Sequence, residues 1–331
     1  MNKKIGVIGA GAWGTTLANL LSKNGNNVLL WAKEEEVVSD INNTHENKRY
    51  LPDITLNLSL SAVNDFHEIT NNVDFLLIAV PSRWMRQTMS EFHNYYSASP
   101  APIVTVTKGL EISSGKRMSE IIEEELRAVP KIAALSGPNL APEIARELPA
   151  ATTIASNDIN FAKKLQGIFS NYYFRTYTAE DIAGLEICGA VKNVIAIAAG
   201  ISEGLGFGDS ARAALLTRSE AEITRLVTAM GGLPQTVSGL SGIGDLIATC
   251  LSSLSRNHRV GLALAKSGDY NSGLKSSEVA EGIPTTKAVI NIASKLGIEM
   301  PICQEVHEIL FNQKDALTAV KNLMNRTFKH E

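Results

Sequence analysis

Through the first 180 residues, short runs of almost unbroken apolar residues alternate with amphipathic stretches, and no other feature of the sequence restricts the fold as much. The runs are Ile5–Gly9, Val28–Trp31, Val73–Val80, Ile103–Thr107 and Ile132–Leu135, with weaker candidates at Ala151–Ala155 and Tyr173–Tyr177. They are short for buried helices and lack in–out alternation, so each reads as a strand covered on both faces. Gly11–Lys23 and Arg117–Ala128 read as helices, the first stopped by Asn24-Gly25. Such strands, separated by helices, predict a mostly parallel, doubly wound sheet. From about Asp181 strand-like runs cease, and long helical stretches follow, broken at Gly204–Gly208, Gly231-Gly232, Gly242–Gly244, Gly268 and Gly282. The expected organisation is α/β, with a sheet domain over 1–180 and an all-helical domain over 181–331.

Composition removes several classes of function. Lys and Arg number 31 against 34 Asp and Glu, a near balance that lacks the basic excess expected of a nucleic-acid binder. With 44% hydrophobic and 20% charged residues the chain is neither disordered nor collagen-like, and it is long enough to bury more than one core. Cys188, Cys250 and Cys303 are far apart, and the histidines show no ligand spacing, so no metal site is expected. A sparse, odd cysteine count fits a reducing compartment, and the expected location is the cytoplasm. The most apolar window, Ile187–Ile201, contains Lys192 and Asn193 and is too short for a membrane span. Met1-Asn2-Lys3-Lys4 imitates the start of a secretory signal, but Gly6, Gly9, Gly11 and Gly14 interrupt the apolar region that should follow.

Gly9-Ala10-Gly11-Ala12-Trp13-Gly14 is a G-x-G-x-x-G motif placed after a strand and at the start of a helix. In that context glycines permit a tight turn and close approach of backbone N–H groups to a pyrophosphate, to which the helix N-terminus adds partial positive charge. The first domain is therefore expected to be Rossmann-like and to bind a dinucleotide through Gly9, Gly11, Ala12, Trp13 and Gly14. An NAD enzyme usually carries Asp or Glu at the end of the second strand to hold the ribose diol. Here Lys33 stands at that end, followed by Glu34-Glu35-Glu36. A cation suits a 2′-phosphate, so NADPH is the expected cofactor in preference to NADH; the glutamates remain alternative ribose ligands.

Polar residues follow the apolar runs at Pro81-Ser82, Thr107-Lys108-Gly109 and Ser136-Gly137-Pro138-Asn139, where ligands of open α/β sheets bind. Lys108 reads either as a cation for an anionic substrate or as a surface residue at a turn. In the helical half, Lys192 interrupts Gly189–Ala199, which is apolar almost all round. Burying an ammonium costs several kcal/mol unless it is paired, so this lysine is either a proton-exchanging group or one that snorkels to the surface. Asp245 in Gly242-Ile-Gly-Asp-Leu246 is either an ordinary helix N-cap or a carboxylate partner for Lys192, and the segment does not choose. Ser255-Arg256-Asn257 before an apolar helix makes a phosphate site or a plain cap beside a solvated arginine. Glu281 in Val279-Ala-Glu-Gly282, taken alone, is a solvated acid.

The ordered set of these motifs, with Thr107–Leu110, Gly189–Val194 and Gly204–Asp209, resembles the bacterial-type NAD(P)-dependent glycerol-3-phosphate dehydrogenases from end to end. The resemblance implies reversible hydride transfer between NAD(P)H and dihydroxyacetone phosphate, giving sn-glycerol 3-phosphate for glycerophospholipid synthesis. By position it makes Lys192 the proton donor and acceptor. It makes Lys108, Gly137, Asn139, Lys192, Asp245, Ser255, Arg256 and Asn257 substrate contacts. Trp13, Lys33, Lys108, Ala141, Arg256, Val279 and Glu281 line the nucleotide in the same scheme. Asn139 and Leu140 stand where Ser or Thr and Phe are usual, Ala12 where Ser is frequent, and Ser210 and His258 where Asn and Arg are commoner.

Two rival readings carry their own discriminators. β-Hydroxyacid dehydrogenases also use a lysine but typically place Asn four residues after it; here that position is Ala196, and the Asn is residue 193. A nucleotide sensor without catalysis leaves Lys192, Asp245 and Arg256 without purpose. Long apolar helices in the second domain offer a face on which two copies can pair.

Overall fold

The computed structural model describes residues 2–267, 269, 272 and 279–327; the expected helix stop at Gly268 lies outside the described residues. Chain contacts divide it into two compact units, Met1–Lys108 with Arg117–Glu186, and Gly109–Lys116 with Ile187–Glu331.

The first unit opens with β1 (Lys4–Ile8), α1 (Ala12–Lys23), β2 (Asn27–Trp31) and α2 (Glu35–Thr44). A small hairpin of β3 (Glu46–Asn47) and β4 (Leu51–Thr55) precedes β5 (Ser61–Val63), α3 (Phe66–Thr70), β6 (Phe75–Ile78) and α4 (Met85–Ala98). Then come β7 (Ile103–Thr105), α5 (Met118–Leu126), β8 (Ile132–Ser136), α6 (Ala141–Ala145), β9 (Ala150–Ala155), α7 (Ile159–Phe169) and β10 (Phe174–Ala179). Eight strands form one sheet in the order β10-β9-β8-β7-β6-β1-β2-β5. All neighbours are parallel except β8 and β9. The chain reverses there because the 137–149 connection, with only the short α6, turns back instead of crossing over the sheet.

The continuous apolar runs have a direct cause: successive residues of one strand feed two cores. Ile5 and Val7 of β1, Phe75 and Leu77 of β6 and Val104 of β7 join Leu17, Leu20 and Leu21 of α1 and Leu165 and Phe169 of α7 on one face. Ile8, Leu76, Ile78 and Ile103 point the other way, into Met85, Met89 and Phe92 of α4 and Ile121 and Ile122 of α5. The strand order reverses between β1 and β6, and crevices at such a switch point receive ligands.

Helix α8 (Ile182–Gly204) carries the chain into the second unit, followed by α9 (Asp209–Ala229), α10 (Pro234–Val237), a π-helical turn at Leu240–Gly244 and α11 (Asp245–Leu251). The remaining helices are α12 (Arg256–Ser267), α13 (Gly282–Leu296), α14 (Pro301–Asn312) and α15 (Ala316–Met324). No strand occurs among the described residues of this unit. At 23 residues α8 is longer than the apolar window in the sequence suggested, and by length and composition it could cross a bilayer; 89% of its apolar window is instead buried inside the protein. A helix apolar all round belongs in a core, and α8 is the centre of this one, with Ile187, Val191, Val194, Ile195 and Ile197 fully buried. It meets α12 at very close range. A Cβ on Gly200 would lie 2.0 Å from the His258 carbonyl oxygen, and one on Gly261 only 1.9 Å from that of Ile197.

Candidate active site

In the first unit, the three motif glycines have different duties. Gly9 turns the chain at φ +114°, where a Cβ would also press on the Ala79 carbonyl oxygen at 2.7 Å, and a Cβ on Gly14 would meet the Gly9 carbonyl oxygen at 1.9 Å. Those two positions demand glycine for turn and packing. At Gly11 a Cβ would touch nothing within 4 Å, so the space over the start of α1 is open. That helix has no side-chain cap and no acidic residue in its first turn, which leaves its N–H groups and dipole directed at this space. Trp13 Nε1 is buried at the same turn without a hydrogen-bond partner. An open cradle, bare helix donors and an orphaned indole N–H fit the pyrophosphate of a dinucleotide. Lys33 is exposed just past the end of β2.

At neighbouring strand ends, Lys108 Nζ donates to the Gly137 carbonyl oxygen at 3.1 Å. Gly137 backs onto β9, where a Cβ would lie 2.9 Å from Thr152 Cα. Asn139 is held by the same strand: its Nδ2 donates to the Ala151 carbonyl oxygen and its Oδ1 accepts from Thr152 Oγ1, both at 2.9 Å. Ser136 Oγ is buried without a partner beside this loop. Ala141 begins α6, and its carbonyl oxygen accepts from Thr16 Oγ1 of α1 at 3.3 Å. Lys108, Gly137 and Asn139 thus belong to one cluster.

In the second unit, Lys192 does not snorkel. Its side chain is 8% exposed, and its Nζ reaches Asp245 Oδ1 at 2.8 Å, with Asp245 only 1% exposed. It also donates to Thr249 Oγ1 at 2.6 Å, while that hydroxyl donates to Asp245 Oδ1 at 3.1 Å. Asp245 is not the N-cap of α11: it closes the π-helical turn and is the first helical residue of α11, whose N-cap is Gly244. Gly242 makes this turn possible, since a Cβ there would lie 1.9 Å from the Val237 carbonyl oxygen. The carboxylate that the sequence left undecided therefore partners the lysine. The buried ion pair sets the position of Nζ, and Thr249 supplies the third corner. Burial pushes the nearby Cys250 thiol up to about 12, so it remains neutral.

Ser255 caps α12 by accepting from the His258 N–H at 3.2 Å. Asn257 is buried and tied at both ends, donating to Asn193 Oδ1 and accepting from the Gly282 N–H, each at 2.9 Å. Arg256, between them, is exposed. Glu281 is the N-cap residue of α13 but makes no side-chain cap hydrogen bond, and its carbonyl oxygen accepts from Thr285 Oγ1 at 2.6 Å. Sequence reasoning missed Thr249 and the Asn193–Asn257 link. The first had one legible signal, its place one helical turn after Asp245 on the same face. Among the described residues no cluster of potential metal ligands occurs.

Residues 4–162 match the model of the NAD-dependent glycerol-3-phosphate dehydrogenase N-terminus, and residues 181–321 that of the C-terminus. The glycerol-3-phosphate dehydrogenase [NAD(P)+] of Maridesulfovibrio salexigens is 45% identical over 329 residues, covering 99% of this chain and 100% of the relative. That of Bacillus subtilis is 44% identical over 332 residues, covering 99% and 96%. The crystal structure of glycerol-3-phosphate dehydrogenase from Coxiella burnetii superposes with a TM-score of 0.93 at 39% identity, over 98% of this chain and 99% of that one. With both domain models matched and relatives of this identity aligned along almost the whole length, the chain belongs to the NAD-dependent glycerol-3-phosphate dehydrogenase family.

Proposed function

We propose that this protein interconverts dihydroxyacetone phosphate and sn-glycerol 3-phosphate with NAD(P)H, and that Lys192 moves the proton. The observation that carries the reading is the buried Lys192–Asp245–Thr249 cluster, set among the apolar residues of the second unit's core. A nicotinamide cofactor, when bound, supplies the hydride for the keto carbon. The carbonyl oxygen then develops negative charge. An ammonium held at a fixed position stabilises that charge and gives up a proton to it, and the amine takes the proton back in the oxidising direction. Asp245 and Thr249 orient Nζ so that little reorganisation is needed at the moment of transfer.

Gly9, Gly11, Ala12, Trp13 and Gly14 would hold the pyrophosphate, with Lys33 at the adenosine ribose and Ala141, Val279 and Glu281 as further nucleotide contacts. The NADP preference rests on Lys33. Lys108 and Gly137 offer a cation and a close backbone approach to the substrate. Arg256 would take its phosphate, presented by a helix start that Ser255 caps and Asn257 anchors. Asn139, whose amide already serves β9, would act mainly by shaping the Gly137 turn. The product suits glycerophospholipid synthesis. Three free, buried cysteines suit the cytoplasm. Exposed Ile247, Leu251 and Leu254 support pairing of two copies through the second unit, which sedimentation would read.

The decisive experiment follows NADPH consumption with dihydroxyacetone phosphate. Lys192→Ala should lower kcat by about a thousandfold while NADPH still binds. Near-normal turnover in that variant rejects the assignment.

A further inference from the structure

The hairpin after α2 is fastened to the nucleotide loop and to the end of β2 together. Asn47, fully buried, donates from Nδ2 to the Ala10 carbonyl oxygen and to Thr15 Oγ1, both at 2.8 Å. Its Oδ1 accepts from the Tyr50 N–H at 3.1 Å, which fixes the turn from 47 to 50 beside the glycine loop. From that turn the Tyr50 hydroxyl donates to Glu34 Oε1 at 2.8 Å. Glu34 is the N-cap residue of α2 but makes no side-chain cap, so the phenol is the partner that orients its carboxylate. The Arg49 guanidinium lies 5.3 Å from the centroid of the Tyr50 ring, within cation–π range. Burial, reinforced by the Glu34 hydrogen bond, raises the Tyr50 hydroxyl above its usual range, so it remains a donor at working pH.

In dinucleotide folds an acid at the end of the second strand binds the free ribose diol, and a nearby arginine accommodates a 2′-phosphate. Here the nearest acid to Lys33 is engaged by a phenol, and a second cation stands on the same turn. We propose that the hairpin sets the cofactor preference: Tyr50 draws Glu34 away from the ribose, and Arg49 joins Lys33 as a cation for the 2′-phosphate. Glu34, the carboxylate next to Lys33, is then tethered while Lys33 and Arg49 supply the positive charge. This inference rests on the reading of Gly9–Gly14 as the pyrophosphate loop.

The test separates the two. Calorimetry with 2′,5′-ADP and 5′-ADP reads the phosphate subsite without turnover, and kcat/KM with NADPH and NADH reads it in the working enzyme. The wild type should bind 2′,5′-ADP more tightly than 5′-ADP. Arg49→Ala should weaken 2′,5′-ADP about tenfold more than 5′-ADP, and Arg49→Lys should restore part of the difference. Tyr50→Phe releases Glu34 and should move the NADPH/NADH ratio several-fold toward NADH; in a Glu34→Gln background the same change should move it little. Equal wild-type affinity for the two fragments overturns the proposal, as does a ratio that neither Arg49→Ala nor Tyr50→Phe alters. Failure of both fragments to bind, with no reduction of dihydroxyacetone phosphate by either cofactor, overturns the underlying reading with it.

Discussion

Lys192 is almost fully buried, so its neighbours decide its chemistry. Removing the Asp245 charge while keeping the ammonium breaks a buried ion pair, a change that typically costs about 3–5 kcal/mol. Asp245→Asn should therefore lower both the denaturation midpoint and kcat, whereas Thr249→Val should cost about 1 kcal/mol and act mainly on kcat. Urea titration with steady-state kinetics checks both, and an Asp245→Asn enzyme of wild-type stability contradicts the pairing. The lysine was legible in the sequence because a charge inside an apolar helix is conspicuous. Asp245 stood there only as one of two readings and Thr249 not at all, because they lie 53 and 57 residues away, and only folding brings α8 and α11 together.

At the scale of elements, glycine decides how closely two helices pack. With a Cβ on Gly261 lying 1.9 Å from a backbone oxygen of α8, Gly261→Ala must push α12 away from the helix that bears Lys192. The expected cost is about 3 kcal/mol, the upper part of the overpacking range, visible as a shift in the urea midpoint. An unshifted midpoint means the crossing is loose. Both edges of the large sheet are closed by side chains. At β5, Asn42 pairs with the Ala62 N–H and carbonyl at 2.8 and 2.9 Å. At β10, Asn171 accepts from the Phe174 N–H at 2.8 Å, and Gln166 donates to the Thr176 carbonyl at 2.7 Å. Each substitutes for a missing neighbour and blocks further strand addition. Strands buried on both faces announced themselves by continuous apolar runs. β5, three residues long, and the two-residue β3 did not, since partners rather than patterns make them strands.

For the whole molecule, stability carries a pH signature unrelated to catalysis. Glu222 of α9 is buried and accepts from the Ile302 and Cys303 N–H groups at 2.6 and 3.3 Å, capping α14 from outside. Burial nevertheless pushes its carboxyl up to about 7. An unfolded glutamate titrates near 4.3, so between these values the folded chain holds a proton that the unfolded chain has released. The stabilising contribution is complete below the lower value and is lost as pH rises through the upper one, up to about 4 kcal/mol. Relative to Glu222→Gln, the wild type should lose melting temperature between pH 5 and 8. A constant difference across that range refutes the assignment. NADPH should in turn raise the melting temperature at every pH, by mass action on the folded state.

The sequence by itself determined the doubly covered sheet, the nucleotide loop, the helical second half and the oddity of Lys192. Each of these is local, written in runs, spacings and single misplaced charges within a few turns of chain. Only the tertiary structure decided that Asp245 serves the lysine instead of a helix end, that Asn257 ties three helices, and that 109–116 groups with the second unit. It alone decided, too, that Tyr50 holds Glu34. Those outcomes depend on which distant groups meet in a desolvated core, where an unpaired polar atom is costly and the fold must supply its partner.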